Sequence, residues 1–276
     1  MGVFISNGIK GGFLVGTIEI FEDYISQLQR NRTIKVYLPE QYFVDLEAKF
    51  PVLYMHDAQN LYENDGSAFG DAWHVHKTLD KLILEGKIPS IIVVGIDNGE
   101  FHRWDEYSPW KGVTPEGLDY EDLSIRGGEG DLYADYIAKS LKPKIDEKYR
   151  TVVENTGVAG SSMGGLISLY VGMKYSDIFS YVGAFSTASW FAEVELLNFI
   201  ENNCTDTQKY YVDTGTHESV GTPVNYYVEG AIKIYDTLLK NNIPQENIKT
   251  VVEMGGVHNE VDWRNRFGEF IIWGLS

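Results

Sequence analysis

The chain has 276 residues and 43% of them are hydrophobic, so it is long enough to bury a substantial core. Its formal net charge of -17 argues against nucleic acid and anionic membranes as partners, because both are bound by basic patches. The single cysteine, Cys204, leaves no intrachain disulfide, and residues 1–10 show no basic stretch followed by an apolar one. These features predict a soluble, cytoplasmic protein without a membrane-spanning segment.

Apolar periodicity predicts a β-rich opening followed by alternating strands and helices. In the opening, 16–21 and 32–38 alternate apolar and polar side chains, as half-buried strands do, and Pro39 ends the second strand. Further strands are predicted at 50–55, 91–96, 156–159, 181–186, 209–213 and 249–254, and helices at 73–85, 132–148, 166–174, 196–203, 226–241 and 263–275. This alternation predicts an α/β fold with a mostly parallel central sheet and helices on both faces. Because no repeat, linker or low-complexity segment interrupts it, residues 1–276 are expected to form one domain.

A long polar segment, 101–130, is typical of a lid or binding loop. Large aromatic side chains here and further along are candidates for an aromatic substrate pocket, with ordinary loop packing as the alternative: Trp104, Tyr107, Trp110 and Trp190. Asp57 follows the strand at 50–55 and is a further candidate for substrate binding, since α/β sheets bind ligands at the carboxyl ends of their parallel strands.

The stretch Gly160-Ser161-Ser162-Met163-Gly164 contains the pattern Gly-x-Ser-x-Gly, with apolar residues before it and a helical pattern after it. A nucleophile elbow has this context: a strand, a sharp turn that exposes a serine, and a helix. The strained and tightly packed backbone of an elbow leaves little room for a Cβ at Gly160 and Gly164. Ser162 is therefore the candidate nucleophile, and the alternative is a glycine-rich turn without chemistry.

A serine hydroxyl is a poor nucleophile at neutral pH, so it needs a general base that an acidic residue orients. In the fold that carries this elbow the chain order is serine, acid, histidine. His258 follows the last predicted strand and is the best candidate for the base. His56 precedes the serine and is interpreted as a site-lining or core histidine. His74 and His76 are two residues apart, which on a helix does not point both at one ion, so no metal site is predicted.

Two carboxylates compete for the role of the acid. Asp213 and Glu218 both lie at the carboxyl end of the strand at 209–213, and the residues alone leave the choice open. Two backbone N–H groups are expected to hold the oxyanion of the reaction. One belongs to Met163, directly after the serine, and the other to Gln59, in the loop after the strand at 50–55.

Five segments of the chain carry a resemblance to a known family: Leu53-Tyr54-Met55-His56-Asp57-Ala58-Gln59-Asn60-Leu61, Gly95-Ile96-Asp97-Asn98 with Arg103 and Glu106-Tyr107, Gly160-Ser161-Ser162-Met163-Gly164-Gly165, Gly215-Thr216-His217-Glu218, and Gly256-Val257-His258-Asn259-Glu260 with Trp263. Together they resemble the esterase family of α/β-hydrolases that includes esterase D, enterochelin-type siderophore esterases, feruloyl esterases and mycolyltransferases. The resemblance spans residues from about 50 to the end of the sequence. It implies an α/β-hydrolase fold and the hydrolysis of carboxylic esters.

The resemblance also bears on individual residues. The acid of the family usually stands at the fourth position of a Gly-x-x-Asp/Glu loop, which implies Glu218 in this chain. The family loop after the first buried strand often reads Asp-Gly, where this chain has Asp57-Ala58.

The expected function is therefore that of a serine esterase that forms an acyl-enzyme on a small acyl, aryl or carbohydrate ester and needs no cofactor. Two alternatives remain open. An acyltransferase would use the same serine, acid and histidine but exclude water, and a binding protein would use the hydrolase fold without chemistry. The sequence does not indicate the oligomeric state.

Overall fold

A mixed sheet lies at the centre of the chain in the computed structural model, which describes residues 3–5 (backbone only), 16–65, 67, 70–115, 124–219 and 225–276. The strands are β1 (Val3–Ile5), β2 (Thr17–Ile25), β3 (Arg30–Leu38), β4 (Phe50–His56), β5 (Ile92–Ile96), β6 (Lys111–Gly112), β7 (Arg126–Gly127), β8 (Thr151–Ser161), β9 (Tyr181–Phe185), β10 (Lys209–Gly215) and β11 (Ile248–Glu253). The main sheet has the order β1-β2-β3-β5-β4-β8-β9-β10-β11, and β6 and β7 form a separate pair.

The pairing changes from antiparallel to parallel across the main sheet. β1 pairs antiparallel with β2, β2 with β3, and β3 with β5. From β5 through β4 to β11, each strand pairs parallel with its neighbour. The prediction of a mostly parallel central sheet is therefore confirmed.

Successive side chains of the central strands enter two separate apolar cores, as the period of two in a strand requires. In β4, Val52 and Tyr54 belong to one core, whereas Leu53 and Met55 belong to the other. The helices are α1 (Gln41–Val44), α2 (Val75–Leu84), α3 (Arg103–Glu106), α4 (Gly130–Tyr136), α5 (Lys142–Lys148), α6 (Met163–Lys174), α7 (Glu193–Asn203), α8 (Tyr226–Lys240) and α9 (Glu260–Gly274). Helices α4 to α8 contribute to the first core, and α2 and α9 to the second. Helices thus cover both faces of the sheet, as predicted.

Two stretches differ from the predicted elements. The predicted helix at 132–148 begins earlier, with α4, and widens into a π-type turn over Ile137–Leu141 before α5. Pro143 accounts for the widening, because its ring excludes the carbonyl of the residue four positions earlier from a regular helical bond.

The segment 101–130, predicted as one long loop, instead contains α3 and the pair formed by β6 and β7, while residues 116–123 lie outside the described part. Within the described residues, each helix is too short or too polar to cross a membrane.

The parallel strands end at one edge of the sheet, and this edge brings distant parts of the sequence together. The register places Phe185 beside both Ser161 and Asp213, and Gly215 beside Glu253. The segments that leave this edge after β8, β10 and β11 contain Ser162, Glu218 and His258, respectively. Loops at this edge are where α/β sheets bind their ligands.

Candidate active site

Ser162 occupies a sharp turn between β8 and α6. Its backbone has φ 59° and ψ -122°, a conformation that non-glycine residues rarely adopt. The Ser162 N–H donates to the carbonyl of Phe185 at 2.9 Å, which ties the turn to the neighbouring strand. A Cβ at Gly160 would lie 2.8 Å from the backbone of Gly164, so the first glycine of the motif is required by close packing. The turn therefore has the strand, serine and helix expected of a nucleophile elbow.

His258 lies in the segment between β11 and α9, and its imidazole contacts Glu218. Nδ1 is 3.0 Å from Glu218 Oε2, so Nδ1–H donates to the carboxylate and Nε2 is left as the basic nitrogen. The ring packs against Tyr227 at a centroid distance of 4.4 Å and against Trp263 at 4.9 Å. These contacts fix the orientation of the imidazole.

The other oxygen of Glu218 is held by donors within the protein. Oε1 accepts from the Gly215 N–H and from the Ser186 hydroxyl, both at 2.6 Å. Asp213 has different partners, because its carboxylate accepts from Arg266 Nε at 2.8 Å and Nη2 at 3.3 Å. Burial raises the pKa of the Asp213 carboxyl, and Arg266 opposes the rise. Of the two carboxylates that the sequence left open, Glu218 is the one in contact with His258.

Ser186 connects Glu218 to Trp263 and Arg266, and it was not identified from the sequence. It follows β9 directly, is fully buried and has φ 43°. Its hydroxyl donates to Glu218 and accepts from Trp263 Nε1 at 2.8 Å and from Arg266 Nη2 at 3.1 Å. The only sequence signal for Ser186 was its position at the carboxyl end of a predicted parallel strand.

Asp57 begins the loop after β4 and is held by several donors. It adopts φ 56°, and its carboxylate accepts from Arg103 at 2.7 and 2.9 Å and from Asn98 Nδ2 at 2.6 Å. The Asp57 N–H donates to the Tyr107 hydroxyl at 3.1 Å. Burial raises the pKa of the Asp57 carboxyl, but Arg103 and Asn98 together lower it by more than burial raises it. The pKa of Asp57 therefore lies below its usual value. The left-handed residue of this loop is therefore Asp57, while Ala58 lies in the 3-10 turn Ala58–Asn60, where glycine's freedom is not needed.

Ser162 and His258 both line a cavity of about 240 Å³, which we call the Ser162 cavity. It is lined by two aromatic side chains and a polar wall: Trp104, Trp263, Asp57, Asn60, Asn98, Arg103, Ser161, Ser162, His258 and Glu260. Of the four residues predicted to bind substrate, Asp57 and Trp104 lie in this lining.

The other two predicted substrate residues lie behind the cavity lining as the structure describes it. Tyr107 is fully buried beneath Asp57. Trp190 packs against Trp104 at a centroid distance of 6.1 Å. Trp110, also a candidate, packs instead against the ring of Tyr170 at 5.5 Å.

The predicted oxyanion donors lie on two different elements. Met163 is the first residue of α6, where backbone N–H groups have no partner within the helix. Gln59 lies in the 3-10 turn after Asp57, and its side chain lines a neighbouring cavity of about 560 Å³ and accepts from the Asn98 N–H at 3.1 Å.

Two buried titratable side chains lie close to the elbow. His56 packs between Tyr107 and Tyr133, with Nδ1 3.0 Å from the Tyr133 hydroxyl, and burial lowers the pKa of His56 to about 4. Glu260 begins α9 and is 1% exposed, and Oε1 accepts from Asn60 Nδ2 at 3.1 Å. Burial raises the pKa of Glu260 to about 7. In the described part of the chain, no three His, Cys, Asp or Glu side chains are arranged to hold a metal ion.

Comparison with known proteins identifies relatives over most of the chain. The profile of the family described as Putative esterase matches residues 25–273. The protein YbbA of Bacillus subtilis (strain 168), described as uncharacterized, is 24% identical over 247 residues, covering 88% of this chain and 92% of its own.

Solved structures share the fold. An IroE-like serine hydrolase from Shewanella oneidensis has a TM-score of 0.74 at 20% identity, covering 93% of this chain and 79% of its own. A ferulic acid esterase from Anaeromyces mucronatus, solved in complex with ferulic acid, has a TM-score of 0.68 at 21% identity, covering 98% of this chain and 95% of its own. The chain therefore has the α/β-hydrolase fold and belongs to the esterase family, the hydrolases of carboxylic esters.

Proposed function

We propose that this esterase acts through an acyl-enzyme formed on Ser162, with His258 as the general base and Glu218 as the acid that orients it. The observation that carries the proposal is the contact between His258 Nδ1 and Glu218 Oε2 at 3.0 Å, on a histidine that shares a cavity with Ser162. The contact leaves Nε2 of His258 available to the serine, as the base of a serine hydrolase requires.

The reaction proceeds in two balanced steps. Ser162 Oγ attacks the ester carbonyl while its proton passes to His258 Nε2, and the imidazolium then gives this proton to the leaving alcohol as the C–O bond breaks. Water attacks the acyl-enzyme in the second step, losing a proton to His258, and Ser162 recovers a proton as the acid product leaves. The Glu218 carboxylate stabilises the imidazolium in both steps.

The N–H groups of Met163 and Gln59 are the proposed donors to the oxyanion. The start of α6 supports Met163, since the positive end of the helix also favours a developing negative charge. For the second donor, Asn60 N–H is already bonded to the Asp57 carbonyl at 2.9 Å, which leaves Gln59 available in the same turn. Each such donor typically contributes about 3 kcal/mol to lowering the barrier.

The cavity supports a small ester as the substrate. Its volume of about 240 Å³ lies below the range of roughly 300–1,000 Å³ that is usual for drug-sized ligands. Trp104 and Trp263 offer flat apolar contact to an acyl, aryl or carbohydrate group, and the other lining residues are polar. No cofactor takes part in the proposed steps.

Hydrolysis of p-nitrophenyl esters from acetate to octanoate tests the proposal. We expect Ser162→Ala to lower kcat at least about 10³-fold, and a fluorophosphonate probe to label the wild type but not this variant. Ser161→Ala is the matched control, because it removes the adjacent hydroxyl of the same motif, and it should keep the probe reaction. Equal activity in the wild type and Ser162→Ala would show that the nucleophile lies elsewhere.

A further inference from the structure

The polar wall of the Ser162 cavity satisfies most of its own hydrogen-bonding groups. Asp57 accepts from Arg103 and Asn98, and Asn98 in turn accepts from the Glu100 N–H at 2.8 Å. Asn60 donates its side-chain amide to Glu260. Groups that already have good partners inside the protein gain little from a substrate.

Glu260 has an oxygen that lacks such a partner in the described part of the chain. One carboxylate oxygen, Oε1, accepts from Asn60, whereas Oε2 is buried and has no hydrogen-bond partner among the residues that the structure describes. A buried polar oxygen without a partner is unfavourable, so a group that supplies the missing bond is favoured at this position. Glu260 is part of the lining of the Ser162 cavity, so a substrate group bound there is a source of the missing bond.

The protonation state of Glu260 limits which chemical groups can supply the missing hydrogen bond. Burial and the nearby carboxylates of Asp57 and Asp71 favour the neutral carboxyl, while Arg103 favours the carboxylate, so both forms are populated near neutral pH. The neutral form offers a donor and the ionised form needs one. A hydroxyl group serves both forms, because it donates and accepts, whereas an ammonium group only donates and a carboxylate only accepts.

We infer that Glu260 binds a hydroxyl group of the substrate, and that the substrate is an ester with a free hydroxyl within a few bonds of the ester bond. This inference rests on the proposed function, because it takes the Ser162 cavity as the place where the ester is cleaved. The hydroxyl can belong to the acyl half or to the alcohol half, and the experiment separates the two.

The experiment compares matched esters that differ by one hydroxyl. Ethyl 3-hydroxybutyrate against ethyl butyrate examines the acyl half, and 2-hydroxyethyl acetate against propyl acetate examines the alcohol half. For each pair, kcat/KM is measured by titration of the released acid, and the readout is the ratio of the hydroxylated to the plain ester. Intrinsic reactivity cancels when this ratio is compared between the wild type and a variant.

We expect the wild-type ratio in one pair to fall about tenfold in Glu260→Leu, which is the size of one neutral hydrogen bond. Glu260→Gln keeps a donor and an acceptor and should recover the ratio to within about threefold of the wild type. Glu201→Leu, at an exposed position of α7, is the control for a lost carboxylate. A merely structural role of Glu260 would change both esters of a pair equally and leave the ratio where it was.

Several outcomes would overturn the inference. A wild type without preference in either pair would do so without any variant, which covers the case in which Glu260→Leu does not fold. A preference for 2-(dimethylamino)ethyl acetate over 2-hydroxyethyl acetate would assign the site to a cation. The fluorophosphonate probe distinguishes a failure of this inference from a failure of the proposed function. If the probe labels Ser162 but the ratio is the same in the wild type and Glu260→Leu, only the role of Glu260 is contradicted. If ester hydrolysis survives in Ser162→Ala, both the role of Glu260 and the proposed function are contradicted.

Discussion

Glu218 Oε2 lies 3.0 Å from His258 Nδ1, while Asp213, on the strand that leads to Glu218, is bonded to Arg266. The two carboxylates are both buried and both at the carboxyl end of β10, so burial and position do not separate them. Their partners separate them, since Glu218 contacts the His258 imidazole in the Ser162 cavity and Asp213 pairs with the buried Arg266 guanidinium. A pair of isosteric substitutions therefore distinguishes an acid that orients the base from one that stabilises the fold.

Glu218→Gln should lower kcat by about 10²–10⁴-fold with a small change in stability, because the amide no longer stabilises the imidazolium. Asp213→Asn should keep most of kcat and lower the free energy of unfolding by about 1–3 kcal/mol, because it weakens the charged hydrogen bonds to the buried Arg266. Arg266 keeps its pair with Glu253, whose Oε2 lies 2.6 Å from Nη1. Steady-state kinetics and urea unfolding of both variants measure the two effects. A mild loss of kcat in Glu218→Gln would mean that His258 acts without an acid, and reversed effects would exchange the two roles.

Ser186→Ala should lower kcat about tenfold and leave KM nearly unchanged. The substitution removes one of the two donors to Glu218 Oε1, so the orientation of Glu218 is loosened. It also leaves the Trp263 indole N–H without its acceptor and takes one acceptor from Arg266 Nη2. The buried groups that lose their partner should cost about 1–3 kcal/mol of stability.

The matched control for Ser186 is Ser180→Ala, at the other end of β9. The Ser180 hydroxyl donates to the Thr156 carbonyl at 3.2 Å, far along the strand from the cavity edge. The Ser180→Ala variant should be less stable than the wild type but should not show the tenfold loss of kcat. If the two alanine variants behave alike in kinetics and in urea unfolding, Ser186 has no particular part in orienting Glu218.

Asp57→Asn should lower kcat by about 10- to 100-fold while the protein stays folded. Asparagine tolerates the left-handed conformation at φ 56°, so the substitution removes the charge opposite Arg103 without straining the turn that carries Gln59. The measurement is kcat together with the affinity for a boronic acid, whose tetrahedral adduct with serine tests the oxyanion donors. Asp97→Asn is the control, because Asp97 pairs with Lys35 at 3.1 Å outside the Ser162 cavity. Weak boronate binding by both variants would argue against a specific role of Asp57.

The sequence predicted the order of strands and helices because apolar periods of two and of about 3.6 residues are visible in it. It also predicted Ser162, since the glycine pattern of an elbow is local. The choice between Asp213 and Glu218 was beyond residue-level reasoning, because Arg266 reaches Asp213 only after α9 has packed on the sheet. The resemblance to the esterase family supplied Glu218, and the structure adds its contact with His258.

Other features of the site were obscured by local chemistry. The last helix was predicted to begin at 263, but Asn259 caps it by accepting from the Asp262 N–H at 2.9 Å, so α9 begins at Glu260. This cap places Glu260 in the first turn and buries its carboxyl. Tyr107 was predicted to face the substrate, yet α3 turns it toward the core, where its hydroxyl holds Asp57. Neither outcome follows from composition or spacing.

The raised pKa of Glu260 makes a prediction about stability and pH. In the folded protein this pKa is about 7, against an ordinary value of 4.5, so the folded state holds the proton more tightly over that interval. The contribution of Glu260 to stability is therefore fully present below pH 4.5 and is lost as the pH rises through 7. Asp57 and Asp71 raise this pKa after burial, and Arg103 lowers it.

Glu260→Gln mimics the protonated side chain at all pH values, so the difference in unfolding free energy between the wild type and this variant isolates the titration. Between pH 5.5 and 8.5 we expect the wild type to lose roughly 2 kcal/mol relative to the variant. Urea unfolding of both proteins at four pH values measures this difference, and Glu201→Gln, exposed on α7, should show none. A difference that stays level, or that favours the wild type as the pH rises, would mean that Glu260 is ionised in the folded protein, and a hydroxyl in the cavity would then meet only an acceptor.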